Sequence, residues 1–225
     1  MVEPQQFGRG AGFAAGAASG SVQRKLRKMS RHPEEPRVFS QAKILLPIGL
    51  LMSLVMTPTM YFPIRDYVEG QTDDIFSIIM PGVATFMGYL FIAHGLFRRF
   101  GVDRDKIWTR FGQLFYREVR FDQLDRLDTG VHRFKLCSGK TLVNLDYNRF
   151  DYSLAYIRLL EELQYRRFEL QGVSIDDPDW DETAQGFGNT FAAKVHRSHR
   201  AFYDDHPEEL ERLNALVQPP MSYIN

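Results

Sequence analysis

Two stretches of this chain carry no formal charge over the length of a helix that crosses a bilayer, and they constrain the fold more than any other feature. The first runs from Ile44 to Phe62, ILLPIGLLMSLVMTPTMYF. The second runs from Ile75 to Phe97, IFSIIMPGVATFMGYLFIAHGLF, and His94 is its one side chain that gains a proton near neutral pH. A spanning helix needs about 20 consecutive apolar residues. A core helix of a soluble protein shows a polar stripe at helical spacing, and neither run has one. A cleaved signal peptide follows a short basic region within a few residues of the start, whereas the first run opens only at Ile44. The runs therefore predict a transmembrane helical hairpin over 43–97, with spans at 44–62 and 75–97. Whole-chain averages hide this: 28 basic side chains balance 28 acidic ones among 225 residues, and the formal net charge is zero.

The flanks orient the hairpin. Arg24, Lys25, Arg27, Lys28, Arg31, Arg37 and Lys43 precede the first span, and Arg98, Arg99, Arg104 and Lys106 follow the second. The connection from Pro63 to Asp74 carries Arg65 among Asp66, Glu69, Asp73 and Asp74. Lys/Arg bias in short loops sets orientation, so both termini are expected on the cytoplasmic side. Tyr61, Phe62 and Tyr67 suit the outer interface. Pro47 falls in a first helical turn, where a missing N–H costs least, while Pro58 and Pro81 sit deeper and predict kinks.

Transport or redox chemistry in the bilayer calls for ionisable groups within the spans. His94 is the one candidate, and it lies within a turn of the cytoplasmic end. Small residues at four-residue spacing, Gly49 with Ser53 and Ala84 with Gly88, permit close helix packing. The hairpin thus reads as an anchor or an assembly surface.

Residues 1–42 read as a flexible basic segment. GRGAGFAAGAASG is too poor in apolar area to offset the entropy of ordering it, and no GxxxxGK[ST] accompanies its glycines. The following run Arg24–Arg31 is a topology signal. It is also a candidate contact for anionic lipid, at on the order of 1 kcal/mol per exposed cation.

Beyond residue 98 the pattern changes to short strands. GVDRDKIWTRFG reads as two strands around a charged turn. LFYREVRF sets Phe115, Val119 and Phe121 on one face, and DQLDRLDTG is a loop with Leu124 and Leu127 turned inward. VHRFKLC places Phe134 and Leu136 together, Ser138-Gly139-Lys140 is a tight turn, and TLVNL returns with Val143 and Leu145 inward. Asp151 is a candidate cap for the amphipathic helix YSLAYIRLLEELQYRRF. About six short strands and one helix predict a small curled sheet covered by that helix. Cys137 is the single cysteine, which excludes an intramolecular disulfide, and it reads as a small core residue.

The run VDRDKIWTR, GQLFYREVRFDQLDRLDTGVHRFKLCSGKTLVNLD and the helix after it resemble bacterial pleckstrin-homology-like (PH-like) domains attached to membrane hairpins. The turn before "IWTR", the "REVRFDQLDRLD" strand–loop–strand and the "SGKTLVNL" return carry the resemblance, over about 98–168. It implies a partly open β-barrel capped by a C-terminal helix, serving as a binding or assembly module in the bacterial inner (plasma) membrane. It supplies no phosphoinositide site, since Asp103 and Asp105 offset Arg104 and Lys106 in the first turn.

Residues 169–225 read as an acidic linker, SIDDPDWDE, and a helical interaction tail. Phe191, Val195, His199 and Phe202 fall near helical spacing, and Leu210, Leu213 and Leu216 mark a second short helix. His196 and His199 share a helical face without a carboxylate or thiolate set to complete a metal site.

The fold class expected is therefore an α+β membrane protein: a two-span hairpin, then a PH-like barrel. The leading function is a non-enzymatic membrane-anchored scaffold or accessory subunit, with membrane lipids and another integral membrane protein as partners, no nucleic acid and no cofactor. The alternative is a sensor of anionic lipid at the cytoplasmic leaflet. For an enzyme, only Asp122, Asp125 and Asp128 recur at a suggestive spacing. No Ser-His-Asp order, phosphate loop or HExxH is present.

Overall fold

The computed structural model describes residues 31–71, 73–147 and 149–217. Its first element lies ahead of the apolar runs. Strand β1, Arg37–Ser40, leads after one residue into helix α1, Ala42–Thr59, continued past Met60 by α2, Tyr61–Val68. Helix α3, Phe76–Phe97, returns and passes without a loop into strand β2, Arg98–Val102. β1 and β2 pair antiparallel, Ser40 opposite Arg99 and Arg37 opposite Val102. The helical hairpin is thus inserted between two neighbouring strands of one sheet and leaves and re-enters it at the same end. A segment expected to be wholly flexible becomes an edge strand here because β2 offers it an open row of backbone partners.

Local chemistry explains the helix limits. Pro58 leaves one carbonyl of α1 without its intrahelical N–H, and the helix is interrupted two residues later at Met60. Helical structure continues to Val68, beyond the expected span end at Phe62, where Arg65 and Glu69 form an i,i+4 pair at 2.8 Å. Asp74 accepts the Phe76 N–H at 3.0 Å, satisfying a donor that the start of α3 would otherwise leave open. α3 runs through Pro81 without a break.

Both helices are long and apolar enough to cross a membrane, and only 11% of each apolar window is buried. What is buried is a seam of small residues: Gly49 and Ser53 on α1, and Thr85, Gly88 and Gly95 on α3. A Cβ on Gly49 would lie 2.7 Å from the Gly88 carbonyl oxygen, and one on Gly88 would lie 2.7 Å from Ser53 Oγ. The four-residue spacing picked out Gly49, Ser53 and Gly88, which meet within the hairpin. Ala84 is only half-buried, and Thr85 takes the inward position. At about 100° per residue, Ala84 lies about 40° to one side of Gly88 around the helix and Thr85 about 60° to the other, and α1 covers the Thr85 side.

Gly88→Leu is accordingly expected to force the helices apart at a cost of about 1–3 kcal/mol. Leu54→Ala alters an outward side chain that is 75% exposed, and its effect should stay within about 0.5 kcal/mol. Melting both variants in detergent, followed by circular dichroism, tests the seam; equal shifts would refute it.

β2 pairs with β3, Lys106–Phe111, and β3 with β4, Phe115–Arg120, completing a sheet in the order β1-β2-β3-β4. After a single 3-10 turn at Phe121–Gln123, strands β5, Arg126–Thr129, β6, Arg133–Ser138, and β7, Thr141–Asp146, form the second sheet. Its order is β7-β6-β5-β8, with β8 the two-residue strand Glu169–Leu170, parallel to β5. The sheets meet along β4 and β7. The segment read as a loop at 122–130 is therefore partly strand, and both leucines expected to turn inward, Leu124 and Leu127, are fully buried. Phe134, Leu136, Val143 and Leu145 also face the core, as alternation predicts; Cys137 is buried too, but on the opposite face of its strand, outside the core cluster, with its Sγ 4.0 Å from Arg126 Nη2.

Helix α4, Ser153–Tyr165, covers this core with Leu154, Ile157, Leu159 and Leu160. Its C-terminal end is fastened by Arg166, which donates to the carbonyls of Leu124 and Phe121 and to Glu162. Among the described residues, helices α5, Trp180–Ser198, α6, Arg200–Asp205, and α7, Pro207–Ala215, follow.

These helices do not form a separate tail. Trp180, Phe191, Val195, Tyr203 and Leu213 are buried in the same core as the strands. Phe191 packs edge-on to Phe134 at 5.1 Å between centroids, and the Trp180 indole donates to the Phe168 carbonyl at 2.8 Å. Ahead of β1, Glu34 reaches Arg104 at 3.8 Å and Arg212 at 3.6 Å. The core runs from Phe39 to Leu213, across the divisions expected at 42 and 168. Periodicity finds an apolar helix face but not what it covers, and here the nearest apolar surface belongs to the same chain.

Candidate functional site

Cross-strand register determines which side chains gather where the sheet joins the hairpin. Arg99 of β2, Arg110 of β3 and Tyr116 of β4 occupy one row, and Gly101, Trp108 and Glu118 the next. On the opposite face Arg98, Phe111 and Phe115 align, followed by Phe100, Thr109 and Arg117. Four arginines thus collect at the hairpin end of three adjacent strands.

Their charges are not neutralised locally. Among the described residues, Arg98, Arg99, Arg110 and Arg117 make no ion pair, nor does the exposed Lys43 in the first turn of α1. At the far ends of the same strands the cations have partners: Lys106 with Glu118 at 2.6 Å, Arg120 with Asp122 at 3.0 Å, and Arg104 with Glu34 at 3.8 Å. Hydrogen bonds from Lys106 and Tyr116 hold the Glu118 carboxyl below the usual carboxylate range.

Aromatic rings and backbone carbonyls hold the arginines instead. The Arg98 guanidinium lies over the rings of Phe115, 4.9 Å from the centroid, and Phe100, at 5.1 Å. Burial, then repulsion from Arg117 and Arg149, pushes its pKa below the ordinary arginine value. Arg99 donates to the carbonyls of Arg98 at 2.8 Å and Gly95 at 3.2 Å, so a cation meets the carbonyl end of α3. Arg110 is exposed, 5.8 Å from the Trp108 ring centroid.

Of the cations singled out from sequence, Arg98 and Arg99 sit at this junction, and Arg31 is an exposed residue near β1. Arg24, Lys25, Arg27 and Lys28 lie outside the described residues. Sequence reasoning missed Arg110 and Arg117, whose relation to Arg99 and Arg98 depends on strand register. Alternation in the IWTRF strand gives each residue its face but not its neighbour.

A second polar cluster is buried within the domain. Asp151 accepts from Arg37 at 3.2 Å and from the Ser153 hydroxyl at 2.6 Å, and its carboxylate lies 3.3 Å from His199 Nε2. The residue picked as a helix cap lies one position before the observed N-cap, Tyr152, and instead binds the strand before the hairpin and the end of α5. His199, half of the histidine pair considered for metal, faces this carboxylate. The three aspartates at three-residue spacing diverge: Asp122 pairs with Arg120, Asp128 with Arg126 at 3.1 Å, and Asp125 accepts the Gly139 N–H. Among the described residues, no group of three or more His, Cys, Asp or Glu could hold a metal ion.

The geometry leaves two surfaces for interaction, the outward apolar wall of the hairpin and the arginine-rich end of the sheet beneath it. Among known proteins, no family model matches this chain, and neither a curated protein nor a solved structure matches it.

Proposed function

We propose that the chain is a multi-pass membrane protein whose hairpin crosses the bilayer and holds a small PH-like domain against the cytoplasmic leaflet. Its role is that of a non-enzymatic anchor or accessory subunit for another integral membrane protein. The carrying observation is the outward wall of the hairpin: Leu50, Leu51, Leu54, Phe62, Phe76, Met80, Val83 and Phe86 all point away from the seam and are exposed. In water such a continuous apolar surface is strongly unfavourable, whereas in hydrocarbon it carries no such cost.

The pairing of β1 with β2 supports placing both flanks of the hairpin on one side, and the cations on those flanks favour the cytoplasm. Strands β1–β7, in two sheets, precede the covering helix α4, with only the two-residue β8 after it, and this order supports a PH-like barrel. One residue separates β1 from α1 and none separates α3 from β2, which leaves no free linker and supports a domain held close to the membrane surface. A bacterial inner membrane is the setting that the sequence resemblance implies.

Topology is tested with single cysteines in a Cys137→Ala background. A membrane-impermeant maleimide should label Gln71→Cys from outside intact cells and should label Lys140→Cys only after lysis. Labelling of both, or the reverse pattern, would invalidate the orientation. Assembly is tested by gentle extraction from native membranes in several mild detergents. The chain is expected to migrate with a stoichiometric membrane partner, and recovery solely as a free 26.1 kDa monomer would count against the accessory role.

A further inference from the structure

The distribution of charge at the hairpin end has a second consequence. The β3–β4 turn folds back against the end of α3. The Gly112 N–H donates to the Phe97 carbonyl at 3.0 Å, and the Phe111 ring lies 5.1 Å from that of His94. Between turn and helix lies a cleft of about 630 Å³. One wall is the apolar flank of α3, with Ala93, Leu96 and Phe97. The other is the turn itself with Leu114, which is 83% exposed, and Arg99 and Arg110 lie at the sheet side.

We propose that this cleft binds an anionic phospholipid, its phosphodiester between Arg99 and Arg110 and its acyl chains running along α3 past Ala93 and Leu96. The proposal rests on the reading that α3 spans the bilayer, and it adds a specific ligand class and site. Three observations converge on it. Arg99 and Arg110 are opposite each other in register and make no ion pair among the described residues. The apolar wall is continuous with the outward surface of the helix, so a ligand held there extends its tails toward the hydrocarbon. Leu114 is nearly wholly exposed at the tip of a turn on that same side, where an apolar tip gains by entering the interface. A neutral zwitterionic headgroup brings a choline cation to the same two arginines and forfeits part of the gain. Each cation near an anionic lipid contributes about fivefold in affinity, or roughly 25-fold for two.

The test uses the full chain purified in a neutral detergent, with bound lipid counted by native mass spectrometry. Dioleoylphosphatidylglycerol is expected to bind at least about tenfold more tightly than dioleoylphosphatidylcholine. Arg110→Gln should weaken phosphatidylglycerol binding about fivefold, and Arg99→Gln with Arg110→Gln should bring it to the phosphatidylcholine level. Arg104→Gln, at the far end of the sheet, should leave it unchanged. Arg99 also binds carbonyls at the end of α3, so Arg110→Gln is the decisive variant. Its side chain is exposed, makes no hydrogen bond among the described residues and lies 5.8 Å from the Trp108 ring centroid, so its replacement should leave the fold intact.

Equal binding of the two lipids overturns the proposal, as does an Arg110→Gln curve that superposes on the wild type. Displacement of phosphatidylglycerol by an equal concentration of inorganic phosphate would replace the lipid with a free anion and overturn it too. These outcomes are read without any partner protein, so they are separate from success or failure of the accessory-subunit assignment.

Discussion

A chain ended after residue 168 is expected to lose cooperative folding of its sheets, although every strand of the first sheet and the covering helix α4 are retained. Trp180, Phe191, Val195, Tyr203 and Leu213 would be removed from a core in which each is at least 97% buried. Fully burying a large apolar side chain contributes about 1.5–3 kcal/mol. Five of them amount to a sum comparable with the whole stability of a domain, about 5–15 kcal/mol. Truncation would also expose the surface of α4 and β6 that Phe191 covers, Tyr156 and Phe134 included. Phe191→Ala isolates the effect at one position and should cost about 3–5 kcal/mol, since a fully buried ring leaves a cavity. Chemical denaturation followed by circular dichroism gives the answer. A truncated chain with an undiminished, cooperative transition would make residues 169–217 an appendage after all.

Asp151→Ala should be the most damaging single polar substitution. The carboxylate is essentially inaccessible, with 1% of its side-chain surface exposed, and it faces Arg37, Ser153 and His199. Removing one member of a buried ion pair costs about 3–5 kcal/mol because the remaining charge loses its partner. Arg37 keeps 17% of its side-chain surface in water, so the lower end of that range, about 3 kcal/mol, is expected. Asp151→Asn preserves shape and hydrogen-bonding capacity and should cost less than Asp151→Ala. A double-mutant cycle with Arg37→Met separates the pair from the rest of the cluster. If Asp151→Ala melts with the wild type, the cluster does not hold β1 to the domain. β1 is the strand from which the hairpin departs, so loosening it would free one of the two attachments between domain and hairpin.

The pH-dependent behaviour of Glu118 is expected to be modest. Its carboxyl is held below the usual range by Lys106 and Tyr116, so whatever stability it contributes is present above the ordinary carboxylate pKa and fades as the pH falls through the lowered one. The pair is more than a third exposed, so solvent screens it and its contribution to stability is small.

Much of this architecture was legible in the residues. Uncharged runs, alternation in VHRFKLC and TLVNL, and the apolar face of YSLAYIRLLEEL each express a local rule, and the elements formed where those rules point. The helix-packing glycines were legible for the same reason, because small residues one turn apart mark a close approach in any helix. What sequence could not supply was pairing at a distance. β1 carries no signal of its own in RVFS; it becomes a strand because β2, on the other side of the hairpin, presents free backbone groups in register. The tail helices were visible as amphipathic, but whether their apolar faces meet a partner or their own domain depends on the shape of that domain. The candidate lipid site shows the same division. Arg98 and Arg99 stood out beside an apolar run, while Arg110 joined them only through the β2–β3 register and the fold of the turn onto α3. Periodicity and charge act over a few residues and can be read from the chain, whereas register and docking are set by burial summed over the whole core, which only the tertiary structure decides.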